Sequence, residues 1–338
     1  MTIVLGLDQH RQQITFDALD TDTGELSRGQ IRPATRASVR AWLTRFQGRD
    51  CEAALEATTG WLFLCEELER AGVRAHLADP AETAARRGRK RRAKTDRVDA
   101  RHLRELLQAG RLPEAWIPPA HICELRSRVR LRHTLVEERT AWLLRIHCVL
   151  FHYGLPPAPD LLTRSGRPWL EQLRLPPAAR ERVAVALAMV DTIDRQMQPL
   201  ERALRAEARR QPGCRALAGE YGIGALIATA IVAELGDVRR FGSSRRSVRH
   251  SGLDITVHAS DSRRLAGHLS RQGPPVLRWA LYEAAKCAAR PGSPDHGYYL
   301  ALKRRLGAKR ATLAVARRLL RRCYHTLLAL EEEALAPA

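Results

Sequence analysis

Lys94-Thr95-Asp96-Arg97-Val98-Asp99-Ala100 sets two carboxylates three residues apart, directly after a run from Arg86 to Lys94 in which seven of nine residues are basic. If this stretch opens a helix, positions three apart share one face, so Asp96 and Asp99 point the same way. Acids turned together beside a strongly cationic run invite a divalent cation, because hard ions take oxygen ligands. The basic residues Arg86, Arg87, Arg89, Lys90, Arg91, Arg92 and Lys94 would then hold a polyanion against that ion. The plainer account is a helix start, with Thr95 as N-cap and both acids favoured at the positive end of the helix dipole. On this stretch alone the two accounts weigh the same.

The residues before it read as an α/β domain. Ile3 to Leu7, Gln13 to Leu19 and Leu26 to Arg32 are three short strands separated by turn residues such as Thr21-Asp22-Thr23-Gly24. Ala37 to Phe46 carries apolar residues at helical spacing, Glu52 to Glu56 is a strand, Trp61 to Ala71 a helix, and Val73 to Leu77 a strand. This order puts Asp8 and Glu56 at strand ends, where α/β sheets build their sites. Taken singly, each is more simply a solvated loop acid. Together Asp8, Glu56, Asp96 and Asp99 form a four-carboxylate set from three segments, able to hold two metal ions for phosphodiester transfer.

The chain of 338 residues has room for two or three domains. Its 57 Lys and Arg against 37 Asp and Glu give a net charge of +20, which points to a nucleic-acid partner. The competing polyanion is a membrane surface, but no 18-residue uncharged apolar run and no signal-peptide pattern appear. Seven scattered cysteines without a CxxC pair fit reduced, mostly buried thiols in a cytoplasm, not disulfides or a zinc site. No Walker lysine pattern is present, which counts against nucleotide hydrolysis.

Two long amphipathic helices follow, Leu125 to Leu150 with Leu131, Leu135, Leu143 and Ile146, and Ala178 to Arg210 with a stripe from Val183 to Leu204. With Leu155-Pro156-Pro157-Ala158-Pro159 breaking the first, they read as a hairpin or coiled coil over 116–210. Arg126, Arg128, Arg130 and Arg132 recur every second residue and so spray around the helix. Further on, Tyr221-Gly222-Ile223-Gly224-Ala225 leads into the apolar helix Leu226 to Leu235. Gly222 and Gly224 there suit a helix-hairpin-helix grip on phosphate, or simply a tight turn. Between Arg239 and Gly273, serines stand among arginines, including Arg263 and Arg264. A serine hydroxyl with guanidinium neighbours suits attack on a phosphodiester. A polar loop explains the composition equally, and spacing does not choose among Ser260, Ser262 and Ser270.

Gly6-Leu7-Asp8, Glu56-Ala57-Thr58-Thr59-Gly60-Trp61, Asp79-Pro80 and Lys94 to Ala100, taken in order, resemble the DEDD transposases of the insertion-sequence 110 family. Gly252-Leu253 and Gly267-His268-Leu269-Ser270-Arg271-Gln272-Gly273, with the helix Leu277 to Ala285, resemble that family's second domain. The resemblance implies an α/β, RNase H-like first domain similar to the Holliday-junction resolvases over 1–115. It implies a helical spacer over 116–210 and a mostly α-helical transposase domain over 211–338. It carries the tetrad onto Asp8, Glu56, Asp96 and Asp99, with Mg2+ as the ion, and the catalytic serine onto Ser260. Here Asp261 replaces the usual Gly after that serine, and Ile255 a usual Pro, which keeps Ser262 in reserve. It further implies a transposase and site-specific recombinase acting on element ends and target DNA. A structured guide RNA, a dimeric or tetrameric homo-oligomer and a cytoplasmic, nucleoid-associated location belong to the same implication. Two other readings remain: a metal-dependent junction nuclease with an idle serine, and a non-catalytic nucleic-acid-binding protein.

Reversing Arg89, Lys90, Arg91 and Arg92 to Glu is expected to weaken nucleic-acid binding for all sequences alike, since phosphate contacts carry no sequence code. The slope of log affinity against log salt should flatten; an unchanged slope would make this run a solvated surface.

Overall fold

Unbroken apolar runs, Ile3-Val4-Leu5-Gly6-Leu7 and Ala53-Ala54-Leu55, give strands buried on both faces. The computed structural model of the chain describes residues 2–338 except 87–94, 157–159, 162, 164–165, 257, 261–262 and 266; for 258–260 and 263–265 it describes the backbone alone. The chain divides into two compact units, Met1–Ile117 and Pro118–Ala338.

The first unit contains β1 (Thr2–Gln9), β2 (Ile14–Asp20), β3 (Leu26–Ile31), α1 (Arg36–Leu43), β4 (Asp50–Glu56), α2 (Trp61–Arg70), β5 (Arg74–Ala78), α3 (Pro80–Arg86) and α4 (Asp96–Gln108). The strands make one mixed sheet in the order β3-β2-β1-β4-β5. β1 pairs antiparallel with β2 and parallel with β4. The strands and helices expected from the sequence as far as Leu77 are all present, within a few residues at their ends.

One face of this sheet buries Ile3, Leu5, Leu7, Phe16, Ala53 and Leu55 against Val39 and Leu43 of α1 and Leu64 and Leu68 of α2. The opposite face is different in kind. Its side chains are small, with Gly6 paired to Ala54 and Ala78 at the end of β5, and α4 lies directly on them through Leu103. A Cβ at Gly6 would stand 1.9 Å from the Ala100 carbonyl oxygen and 2.7 Å from the Arg104 nitrogen, so only glycine lets the helix backbone come this close. Asp17 on β2 faces the same side, 1% exposed, and accepts from Arg104 of α4 and from Arg28 Nε at 2.7 Å. A carboxylate buried in a strand needs such partners. Removing one member of a buried pair of this kind typically costs about 3–5 kcal/mol.

The second unit contains α5 (Ala120–His152), α6 (Gly166–Glu171), α7 (Pro177–Arg210), α8 (Pro212–Leu217), α9 (Ala225–Leu235) and α10 (Ser244–His250). After these come the two-stranded ribbon β6 (His258–Ser260) and β7 (Arg263–Leu265), then α11 (Pro275–Lys286), α12 (His296–Leu306) and α13 (Ala308–Leu328). α5 and α7 run antiparallel in one constant register. Leu125, Val129, Leu204 and Ala208 meet at one end, Leu150 and Val183 at the other. Between them Arg132 Nη2 lies 2.7 Å from Glu201 Oε1 and Arg139 Nε 2.8 Å from Asp194 Oδ1, one heptad apart.

Three expectations are corrected here. Leu131 is 53% exposed and lies off the seam. Of the α5 arginines, each most simply read as part of a solvated face, Arg126 and Arg130 turn into the fold: Arg126 Nε donates to the Ala233 carbonyl at 2.7 Å, and Arg130 bridges both oxygens of buried Glu234. The stretch read as a polar loop after Arg239 contains α10, because Ser243 caps it by accepting from the Arg246 nitrogen.

Gly6→Ala is expected to lower the midpoint of urea unfolding, by about 2–3 kcal/mol in stability, because α4 has to move off β1. An unchanged midpoint would mean that α4 does not rest on that strand.

Candidate functional site

The close packing of α4 on β1 fixes where its first turn falls. Thr95 caps the helix, its hydroxyl accepting from the Val98 nitrogen at 3.4 Å, so the acids do open a helix. That same first turn also meets the tip of β1. Asp8 is the penultimate residue of β1, with a side chain 14% exposed. One ligand atom each from Asp8, His10 and Asp96 lie within 4.8 Å of one another. His10 Nε2 is 3.2 Å from Asp8 Oδ2 and 3.4 Å from Asp96 Oδ1. Gln13 Nε2 donates to the other Asp96 oxygen at 3.1 Å, and the turn is closed by the His10 nitrogen donating to the Gln13 carbonyl at 2.9 Å.

Asp99 lies one helical turn deeper and is 8% exposed. The Asp8 carboxyl titrates above the usual carboxylate value, first because burial opposes its charge. His10 pulls it down, while Asp99 and then Asp96 push it up, so both α4 acids act on Asp8. Glu56 ends β4, one position past the Leu7–Leu55 rung that joins β4 to β1. It therefore stands at the neighbouring strand tip, outside the closest set of ligand atoms. Its turn is tied to the β1 tip, since Gln9 Nε2 donates to the Thr59 carbonyl at 3.3 Å. Thr15, directly across from Asp8 in the β1–β2 ladder and 1% exposed, has a hydroxyl with no hydrogen-bond partner among the described residues.

The carboxylates suit a hard divalent ion: Asp8 and Asp96 bring oxygens to one spot, and burial together with the neighbouring acids raises a carboxyl that a cation would relieve. His10 and Gln13 are the residues the sequence reading missed. The signal was available in Asp8-Gln9-His10, since positions two apart on a strand end share a side.

Of the basic run, Arg86 ends α3 and donates to the Arg111 carbonyl. Arg87, Arg89, Lys90, Arg91, Arg92 and Lys94 lie outside the described residues.

In the second unit, Ser260 forms the last rung of the β6–β7 ribbon, opposite Arg263, with Arg264 opposite Ala259. Ser262 lies outside the described residues. Ser270, the third serine considered, is half-buried and donates to the Asp254 carboxylate. The base of the ribbon is rigidly built. The Thr256 nitrogen donates to the His268 carbonyl at 2.8 Å, and Arg317 Nε and Arg278 Nη1 donate to the Leu253 and Gly273 carbonyls at 2.6 and 2.7 Å. A Cβ at Gly267 would meet the Thr256 carbonyl oxygen at 1.6 Å, so that glycine is required by the crossing of the two chains. Gly222 has φ of +90° and Gly224 is the N-cap of α9, with open space around its Cβ position.

Two family models match this chain. One described as a transposase, of the IS110 DEDD type, covers residues 5–154; the other, described as a transposase of the IS116/IS110/IS902 family, covers 214–300. A Pseudomonas aeruginosa protein described as "Probable family 20 transposase" is 26% identical over 299 residues, covering 85% of this chain and 84% of its own. The "Transposase for insertion sequence element IS1111A" of Coxiella burnetii is 26% identical over 237 residues, 66% of this chain and 64% of its own length. These likenesses indicate a DNA-rearranging enzyme, a class that binds DNA and usually needs a divalent metal. The chain belongs to the IS110 family of insertion-sequence transposases. Among the described residues no helix is long and apolar enough to cross a membrane.

Because its pKa is raised, ionising Asp8 costs the metal-free fold stability. Its contribution to stability is complete below the ordinary carboxylate value and is lost as pH rises through the raised one. Asp8→Asn is therefore expected to raise the metal-free melting temperature at neutral pH. A fall would mean that the Asp8 charge supports the fold.

Proposed function

We propose that the first unit is an RNase H-like catalytic domain in which Asp8, Glu56, Asp96 and Asp99 hold Mg2+, and that Ser260 is the nucleophile of strand exchange. The observation that carries the metal part is the meeting of Asp8 and Asp96, from the end of β1 and the start of α4, with Asp99 acting on the same carboxyl. Magnesium held there would stabilise charge on the attacking and leaving oxygens of the phosphodiester. The burial of Asp8 at the strand tip and the hydrogen bond from Gln13 to Asp96 place the donor oxygens before any ion arrives.

In the second unit the Ser260 hydroxyl oxygen bonds to phosphorus as the deoxyribose oxygen leaves; the proton lost by the serine is balanced by the one that oxygen takes up. The reverse attack by a second DNA end breaks the phosphoserine bond, so joining needs no outside energy. Arg263, directly opposite Ser260 in the ribbon, stabilises the pentacoordinate oxyanion, and Arg264, on the neighbouring rung, holds the nucleic-acid backbone. The basic run from Arg86 to Lys94, with Gly222 and Gly224, grips the backbone of element ends and target. Residues 116–210 act as the spacer, and a homo-oligomer and an element-encoded structured RNA complete the assembly.

Ser260→Ala is expected to keep folding within about 0.5 kcal/mol and to bind nucleic acid, yet to give neither a protein–DNA adduct on denaturing electrophoresis nor recombinant product. Ser262→Ala should keep substantial activity, and Asp96→Asn should stop recombination while the fold persists. An adduct that survives in Ser260→Ala and vanishes in Ser262→Ala moves the nucleophile by two residues. Normal recombination by both serine variants would leave a metal-only nuclease.

A further inference from the structure

The tip of β1 carries a nitrogen donor outside the tetrad. His10 Nε2 stands 3.2 Å from Asp8 Oδ2 and 3.4 Å from Asp96 Oδ1. Two ligands bound to one ion at about 2.1 Å are separated by about 3.0–3.4 Å in octahedral or tetrahedral arrangements. The imidazole nitrogen thus lies at a coordination edge from both oxygens. The arrangement joins two segments 83 residues apart, as the Gln13–Asp96 hydrogen bond beside it does, so it is a product of the fold and not of local sequence. That bond occupies Asp96 Oδ2 and leaves Oδ1 toward His10. The imidazole is 52% exposed and has room to adjust around an ion.

We propose that His10 Nε2 is a ligand of the divalent ion held by Asp8 and Asp96, and that the mixed nitrogen and oxygen set makes this chain favour Mn2+ over Mg2+. The inference rests on the metal reading given above. Mg2+ dehydrates reluctantly and favours oxygen, whereas imidazole strengthens binding of transition metals. A carboxylate pair alone would not make that distinction. Asp8 fixes His10 on its own side of the chain, two residues on, and the turn bond from the His10 nitrogen to the Gln13 carbonyl holds the backbone that presents it. The same distances would arise if a protonated imidazole merely screened two carboxylates. An arriving ion would then displace it, and the nitrogen would not be bound.

The test uses the full chain and reads binding, not turnover. Pulsed electron paramagnetic resonance of Mn2+ added to the wild type is expected to show modulation from a directly bound nitrogen, lost in His10→Ala and also in Asp96→Asn. Thermal-shift titration should give half-saturation by Mn2+ at roughly tenfold lower concentration than by Mg2+, and His10→Ala should narrow the gap to about threefold or less. An unaltered metal-free melting curve for His10→Ala checks its fold, and His10→Asn serves if the alanine variant fails that check. Mn2+ bound without nitrogen modulation in the wild type, or modulation that persists in the His10 variants, overturns the inference and leaves the carboxylate site standing. If neither ion shifts the wild-type melting curve, both the inference and the metal reading fall.

Discussion

The first unit depends on the contact between α4 and β1. Two devices make it, one steric and one ionic. Gly6 and Ala54 strip the sheet face of side chains so that the helix backbone can rest on it, and Arg104 then locks the helix to Asp17 in the interior. Neither device is near the ends of the elements. Both act at mid-strand and mid-helix, and their effect is to set the first turn of α4 against the tip of β1. Asp96 and Asp99 are thereby carried to Asp8 by packing several ångström away from any of the three. The geometry of the acids is a by-product of helix placement, which explains how repelling carboxylates can be kept close in a stable domain.

That placement also separates structural from chemical roles along a single helix. Thr95 caps it, Asp96 and Asp99 face the strand tip, Ala100 and Leu103 pack, and Arg104 anchors. The helix start and the convergent acids are the same object: dipole stabilisation by Asp96 and Asp99 makes the first turn form, and packing then aims their remaining oxygens at Asp8.

Much of the first unit could be read from the chain, because its apolar patterns are clean and its turns are marked by Gly, Asp, Thr and Pro. Asp8 and Glu56 at strand ends were legible for the same reason. Asp17 was not used, although a lone acid inside the apolar strand Phe16-Asp17-Ala18 signals a buried cation partner. Its partner Arg104 lies 87 residues away, and no local pattern connects them. His10 was missed because a histidine in a polar turn is ordinary until another segment arrives beside it. In the second unit the long helices were legible from their stripes, whereas α10 was hidden by a serine- and arginine-rich composition that capping turns into helix. The glycines around the Ser260 ribbon stand out as a motif in the chain, but the demand for Gly267 arises only where the Thr256 backbone crosses it.

The α5–α7 hairpin has one more consequence. Its seam carries two ion pairs, Arg132 with Glu201 and Arg139 with Asp194, among apolar layers. Sliding one helix by a heptad would keep one pair, Arg139 with Glu201, but set Asp194 against Ile146 and Arg132 against Ala208, leaving two charges without partners in an apolar seam. Coiled coils of leucine alone tolerate such slips; this one does not. With α5 of 33 residues rising about 1.5 Å each, roughly 50 Å in all, the hairpin is a strut of a single permitted length, and the spacing between whatever its two ends hold is written into the seam as a ruler.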